Sequence, residues 1–205
     1  MKESKLSRAL TWMIDIIFSG LLWCLFSLPL VTIGAASSAL YYAAVKCIRH
    51  DRGRLSRVFW DGFRKNFKSA TRMWLLYLAA GAIGAANVFA AFQWGGTLLS
   101  PLTALGGVIF LPLLLTLPWM FAYISRFENS LKGSLVFVGY LAAHHPGKSL
   151  LLALELLGTL LIAWLIPYIA PLLPGLAALL MSFGIEPVFR QFTAESSADD
   201  PWFNE

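Results

Sequence analysis

From residue 9 to residue 189 the chain repeats one pattern six times: a stretch of about twenty mostly apolar residues, then an interruption. A helix rising 1.5 Å per residue needs roughly that length to cross about 30 Å of hydrocarbon. The segments at about 9–29, 31–48, 73–94, 102–125, 149–169 and 172–189 therefore read as membrane spans. Composition supports this, with 58% hydrophobic and 13% charged residues, against about 25% charged in a soluble domain. No polar stretch is long enough for a soluble catalytic domain. The expected fold is all-α: one integral-membrane domain over 1–190, with about six transmembrane helices in three hairpins plus cytoplasmic interfacial helices. A disordered acidic cytoplasmic tail is expected over 191–205.

Charge gives an independent test of the layout, because cytoplasmic loops collect Lys and Arg. Lys2, Lys5 and Arg8 precede the first span, and nine basic residues from Lys46 to Arg72 separate the second from the third. Arg126, Lys132 and Lys148 border the fourth and fifth, and Arg190 follows the sixth, which accounts for all 16. The opposite connections, near PLVTIG, WGGTLLSP and PYIAPLLP, carry no charge. The rule places both termini in the cytoplasm. The second span is short and contains Ser37 and Ser38, so a re-entrant course is the competing reading; that would put the most basic loop outside. The N-terminus also imitates a cleaved signal peptide, but its apolar run contains Asp15 and exceeds the usual core of about 7 to 15 residues.

Between the second and third spans, RLSRVFWDGFRKNFKSA places Leu55, Phe59, Phe63 and Phe67 four apart, with charges mostly off that stripe. This predicts an amphipathic helix lying in the interfacial plane. Arg54, Arg57, Phe59, Phe63, Arg64, Lys65 and Lys68 form a candidate surface for a protein partner or for anionic lipid headgroups. A second segment, ENSLKGSLVFVGYLAAHHPGK, is apolar nearly all round and is expected to be covered by other helices. Shifting the first segment by 78 residues sets Val58 on Val136 and Phe59 on Phe137, each segment being followed by an apolar hairpin. That pattern suggests a duplicated unit.

Little in the chain points to chemistry. AAHHPGKS imitates a phosphate-binding loop, yet a helix precedes it, Pro146 removes an amide, and a span follows. His144 and His145 are adjacent rather than one helical turn apart, so no metal site is expected. Cys24 and Cys47 lie too far apart in this layout for a disulfide. No cofactor, catalytic residue or nucleic-acid partner is expected, and the protein reads as a non-enzyme. Ionisable residues within spans carry functional suspicion. Asp15, Glu155 and Glu186, with Asn87 near a midplane, form the candidate intramembrane polar site. The competing reading pairs Glu186 with Arg190, one turn away, and sets Lys148 two turns before Glu155. Pro112 and Pro118 kink or break the fourth span. Trp12, Trp74 and Trp94 read as interface residues, whereas Trp23 and Trp119 lie deep enough to stack on a sugar. The small residues of AAGAIGAANVFAA favour close helix packing, internal or in a homo-oligomer.

The stretch FSLPLVTIGAASSALYYAAVK reads as a hairpin tip. Pro29 ends the first helix, Thr32 or Ser37 caps the second, and Gly34 with Ser38 allows close helix approach. Three stretches, LFSLPLVTIGAASSALYYAAVK, VFWDGFRKNFKSA and ISRFENSLKGSL, resemble the YesL family of small bacterial integral-membrane proteins, classed as a domain of unknown function. The resemblance runs over essentially the whole chain. It is carried by Pro29, Thr32, Gly34, Ala35, Ala39, Tyr41 and Tyr42, then Phe59, Phe63, Asn66 and Phe67, then Arg126 and Phe127. It implies a multi-pass protein of the bacterial cytoplasmic membrane and an accessory role beside ABC-type sugar importers, whose subunits would be its partners. It assigns no catalytic residue. The alternative function is a small carrier using Asn87, the kinked fourth span and the inner carboxylates.

Overall fold

The computed structural model describes residues 5–50, 53–93, 101–127 and 130–192. These form seven α-helices: α1 (Lys5–Phe26), α2 (Ile33–Ala43), α3 (Leu55–Gln93), α4 (Pro101–Arg126), α5 (Leu131–His144), α6 (Pro146–Leu165) and α7 (Leu173–Phe192). Among the described residues there is no strand. A 3-10 turn, Leu30–Thr32, precedes α2, and a π-helical stretch, Ala44–Arg49, continues it. Five helical stretches are long and apolar enough to cross a membrane: Leu30–Arg49, Leu55–Gln93, Thr103–Arg126, Pro146–Leu165 and Leu173–Phe192; Leu10–Phe26 is a shorter apolar helix. The fold is that of a polytopic all-α membrane protein. The WGGTLLSP connection, except for Pro101, and the tail from residue 193 lie outside the described residues. Gln191 and Phe192, expected in the tail, complete α7, where Phe192 packs edge-on against Phe137.

Proline marks three of the helix boundaries. Pro29 follows α1, Pro101 opens α4, and Pro146 opens α6 at the position where a missing N–H costs nothing. Pro112 and Pro118 do not break α4, which runs through both. Nor does Thr32 cap α2. Its hydroxyl lies 2.7 Å from the Phe26 carbonyl and 2.8 Å from that of Pro29, so it closes the end of α1. Ser37 is equally occupied, accepting from the Trp23 indole at 3.0 Å.

The amphipathic segment and the third span form one unbroken helix of 39 residues. At 1.5 Å per residue α3 is about 58 Å long, well beyond the hydrocarbon thickness of a bilayer. Its first half is therefore not a separate helix lying in the interface. Leu55, Val58, Phe59, Gly62, Asn66, Ala70, Met73 and Tyr77 make the buried face, recurring at three- and four-residue intervals. Phe67, placed on that stripe by sequence, is exposed.

Residues 55–74 of α3 pack antiparallel against α2. A Cβ at Gly34 would meet Trp74 and the Ala70 carbonyl, and one at Gly62 would meet Tyr42 and Ala39. The apolar half of α3 packs instead against α4, where Gly84 faces Ile109 and Phe110. Consequently α2 and the first half of α4 lie at different levels along α3, while the end of α4 reaches back beside α2, where Arg126 and Tyr41 meet the same carboxylate. The Leu30 end of the first hairpin thereby stops about 28 Å short of the end of α3, the length of the 19 residues from Trp74 to Gln93. The charge-based layout put Leu30 and Trp74 on opposite sides of the membrane, yet the Trp74 indole donates to the Leu30 carbonyl at 2.8 Å. These two points share one level. The three hairpins do not stand side by side at a common depth.

Around this spine α1 runs along α2 and crosses the start of α7, with Gly20 against Pro171 and Gly175 against Ile16 and Ser19. The main core gathers Trp119, Met120, Tyr123, Val138, Leu141, Ile185 and Phe189 from α4, α5 and α7. α5 is covered on one face only. Ser134, Val138 and Leu141 are buried, while Leu135, Val136 and Tyr140 are exposed, contrary to the covered helix expected from its composition. The two segments related by the 78-residue shift also differ, because α3 runs on unbroken and α5 stops at His145.

Candidate functional site

Three elements far apart in sequence meet at Glu186, which is fully buried on α7. Arg126, at the end of α4, brings Nη1 to 2.6 Å from Glu186 Oε2. Tyr41 of α2 donates its hydroxyl to Oε1 at 3.0 Å. Both carboxylate oxygens are thus satisfied, one by a charge-assisted bond, which is what keeps a buried carboxylate tolerable. The guanidinium of Arg126 also lies against the rings of Phe127 and Phe189. Arg190, the expected partner of Glu186, is exposed and takes no part.

The π-helical stretch prepares the neighbouring contacts. Its wider turn carries Arg49 toward α7, where Nη1 donates to the Ser182 carbonyl at 2.7 Å and the guanidinium covers the Phe183 ring. Three residues earlier in the same stretch, Lys46 is buried and donates to the Tyr42 hydroxyl at 3.0 Å.

The other proposed polar residues do not join this cluster. Asn87 donates to Ile83 of its own helix at 2.9 Å, and Asp15 sits half-buried on α1 beside its contact with α7. Glu155 lies on α6 opposite Met181 of α7. The four residues are distributed over separate helix contacts and do not form one site. The deep indoles are also committed. Trp119 is fully buried with its N–H on Ser149 at 2.9 Å and presents no free face to a sugar, while the N–H of the half-buried Trp23 is taken by Ser37.

AAHHPGKS forms a helix end, a single linking residue and a helix start, not a phosphate cradle. Ser149 is fully buried beneath it, its hydroxyl lying near the Ala142 and His145 carbonyls. His145 stacks on Trp119. Burial, then Lys148 and His144, hold its imidazole below the ordinary value of 6.5.

Of the expected docking surface, Phe59 is buried and Phe63 half-buried, their rings packed against Phe26. The five basic members, Arg54, Arg57, Arg64, Lys65 and Lys68, are exposed, joined by Arg72, Trp60 and Phe67. The stripe thus serves the inside of the protein and the cations its outside. A groove of 860 Å³ opens between α3, α4 and α6, lined by Trp74, Tyr77, Gly81, Phe110, Leu114 and Leu157 among others. Its wall is apolar, and the Tyr77 hydroxyl within it is bonded to Thr116 at 2.8 Å.

A family model described as "Protein of unknown function, DUF624" matches part of the chain. Residues 16–88 match DUF624. It is the domain-of-unknown-function family to which the YesL resemblance points. The DUF624 segment begins at Ile16 in α1 and ends at Val88 in α3, so it contains the first two stretches of that resemblance but not Arg126 and Phe127. Its marked residues have identifiable physical roles: Pro29 and Thr32 finish α1, Gly34 admits α3, Tyr41 reaches Glu186, and Tyr42 receives Lys46. No curated protein and no solved structure matches the chain.

Proposed function

We propose that this protein is a non-enzymatic membrane accessory component that docks a soluble or peripheral partner on the outer face of the first half of α3. The carrying observation is the contrast between its two polar inventories. Inside, Glu186 is held by Arg126 and Tyr41, Trp119 by Ser149, and Tyr77 by Thr116. Outside, six cations from Arg54 to Arg72 stand exposed with Trp60 and Phe67 between them. Basic residues interleaved with aromatic ones suit an acidic protein surface, with anionic headgroups as the competing occupant. The positive-inside rule supports a cytoplasmic setting for this face. The carbohydrate-uptake role, beside an ABC-type importer, rests on the YesL resemblance.

Purification from crosslinked native membranes tests this. The expected result is co-recovery of importer subunits, lost when Arg57, Arg64, Lys65 and Lys68 are replaced together by Glu. Recovery of the protein alone overturns it.

A carrier is the second reading, favoured by the 860 Å³ groove beside the proline-bearing α4. An apolar wall selects an apolar solute rather than a sugar. Uptake into proteoliposomes that is unchanged in an Asn87→Ala, Glu155→Gln double variant would exclude these polar residues from its path.

A further inference from the structure

Between α6 and α7 lies a second, half-buried glutamate whose surroundings differ from those of Glu186. Oε1 of Glu155 is buried and has no hydrogen-bond partner among the described residues. The backbone of Met181 on α7 faces the carboxyl, and the nearby Thr159 hydroxyl bonds to the Glu155 backbone carbonyl instead, at 2.8 Å. α6 packs against α4, α5, α7 and the turn that follows it. On α7 the ionisable side chains are Glu186, committed to Arg126 and Tyr41, and Arg190, exposed. α4 carries Tyr123 and Arg126, α5 carries Lys132, Tyr140 and His144, the turn carries Tyr168, and α6 itself carries Lys148 two turns earlier. None of them forms an ion pair with Glu155 among the described residues.

A carboxylate without a counter-ion is costly in hydrocarbon, whereas the neutral acid is far less so. The fold therefore treats its two glutamates on α6 and α7 differently, giving Glu186 a cation and the Tyr41 hydroxyl and leaving Glu155 without a counter-ion and with one carboxyl oxygen unbonded. We propose that Glu155 is an intramembrane proton-binding site, a carboxyl that takes up and holds a proton between α6 and α7. This is independent of the docking surface on α3.

An apolar carbodiimide reads this directly, because it enters lipid and reacts with the protonated acid. The carboxyl proton passes to one carbodiimide nitrogen while the carboxyl oxygen bonds to the central carbon. The acyl group then migrates to the other nitrogen, giving an N-acylurea; nothing leaves, so the peptide gains the whole reagent mass. The full-length protein in phosphatidylcholine and phosphatidylglycerol vesicles is treated with N,N′-dicyclohexylcarbodiimide across a pH series and mapped by mass spectrometry. Near pH 7 the expected adduct lies on Glu155, about tenfold above any on Glu186, and declines as pH rises. An infrared carboxylic-acid band present in the wild type is expected to vanish in Glu155→Gln. Reaction confined to pH values below about 5, as for an ordinary glutamate, equal labelling of Glu186, or an unmodified Glu155 peptide near pH 7 overturns the proposal.

Discussion

Arg126 Nη1 lies 2.6 Å from Glu186 Oε2, and the partners are separated by 60 residues of chain. With Tyr41 on the other oxygen, the contact joins α2, α4 and α7, the second helix of each of the three hairpins. Burying such a pair need not stabilise the fold relative to an apolar replacement, since desolvation opposes the Coulomb attraction. What it does enforce is register, because among the described residues Arg126 is the cation that pairs with Glu186.

Removing one partner should therefore be severe. Arg126→Met is expected to cost about 3–5 kcal/mol, lowering the melting temperature of the detergent-solubilised protein by roughly 10 °C at about 2–4 °C per kcal/mol. An Arg126→Met, Glu186→Met double variant should recover part of that loss, whereas Arg190→Ala should melt like the wild type. A melting temperature more sensitive to Arg190 than to Arg126 would restore the local pairing read from sequence.

The offset of the first hairpin along α3 is open to crosslinking. In a background lacking Cys24 and Cys47, thiols at Leu30 and Leu75, both exposed, should be joined by a short bis-maleimide. Those at Leu30 and Phe92 should not, being separated by most of the 27 Å or so between Trp74 and Phe92 along the helix. In the side-by-side layout Leu30 and Leu75 would lie across about 30 Å of hydrocarbon, and no crosslink would form.

These two tests mark where sequence reasoning reached its limit. Helix extents were legible because apolar length and proline are local: 102–125 became Pro101–Arg126, and 172–189 became Leu173–Phe192. Relative depth was not, since counting basic residues ranks loops by side and says nothing about which part of α3 faces α2. Nothing between Ala70 and Trp74 interrupts a helix, so the join between the basic and apolar halves left no mark. Tyr41, Arg126 and Glu186 were each singled out, two by resemblance and one as an acid within a span. Their meeting is a property of tertiary packing alone.

Gly34 offers a sharp packing test. A side chain there would strike Trp74 and the Ala70 carbonyl, whereas one at Gly81 meets nothing within 4 Å. Gly34→Val should lose about 1–3 kcal/mol through overpacking and disturb the DUF624 segment where α2 meets α3. Gly81→Ala should be neutral or slightly stabilising, as expected for Ala over Gly in a helix. Thermal melts of the two variants side by side check the contrast, and equal behaviour would mean that α2 does not approach α3 as described.

The link between α5 and α6 should make stability depend on mild acid. Burial, Lys148 and His144 hold the His145 imidazole below its ordinary value of 6.5, so the unfolded chain takes up a proton more readily than the folded one. The corresponding stability is fully present above 6.5 and is lost as pH falls from there toward the lower folded value. Melting temperature should therefore decline through that window in the wild type. His145→Asn, which cannot charge, should flatten the decline while leaving the acid-independent part of the melt close to its value at neutral pH. His144, exposed and stacked on Tyr140, serves as the control: if His144→Asn flattens the curve and His145→Asn does not, the titrating group has been assigned to the wrong ring.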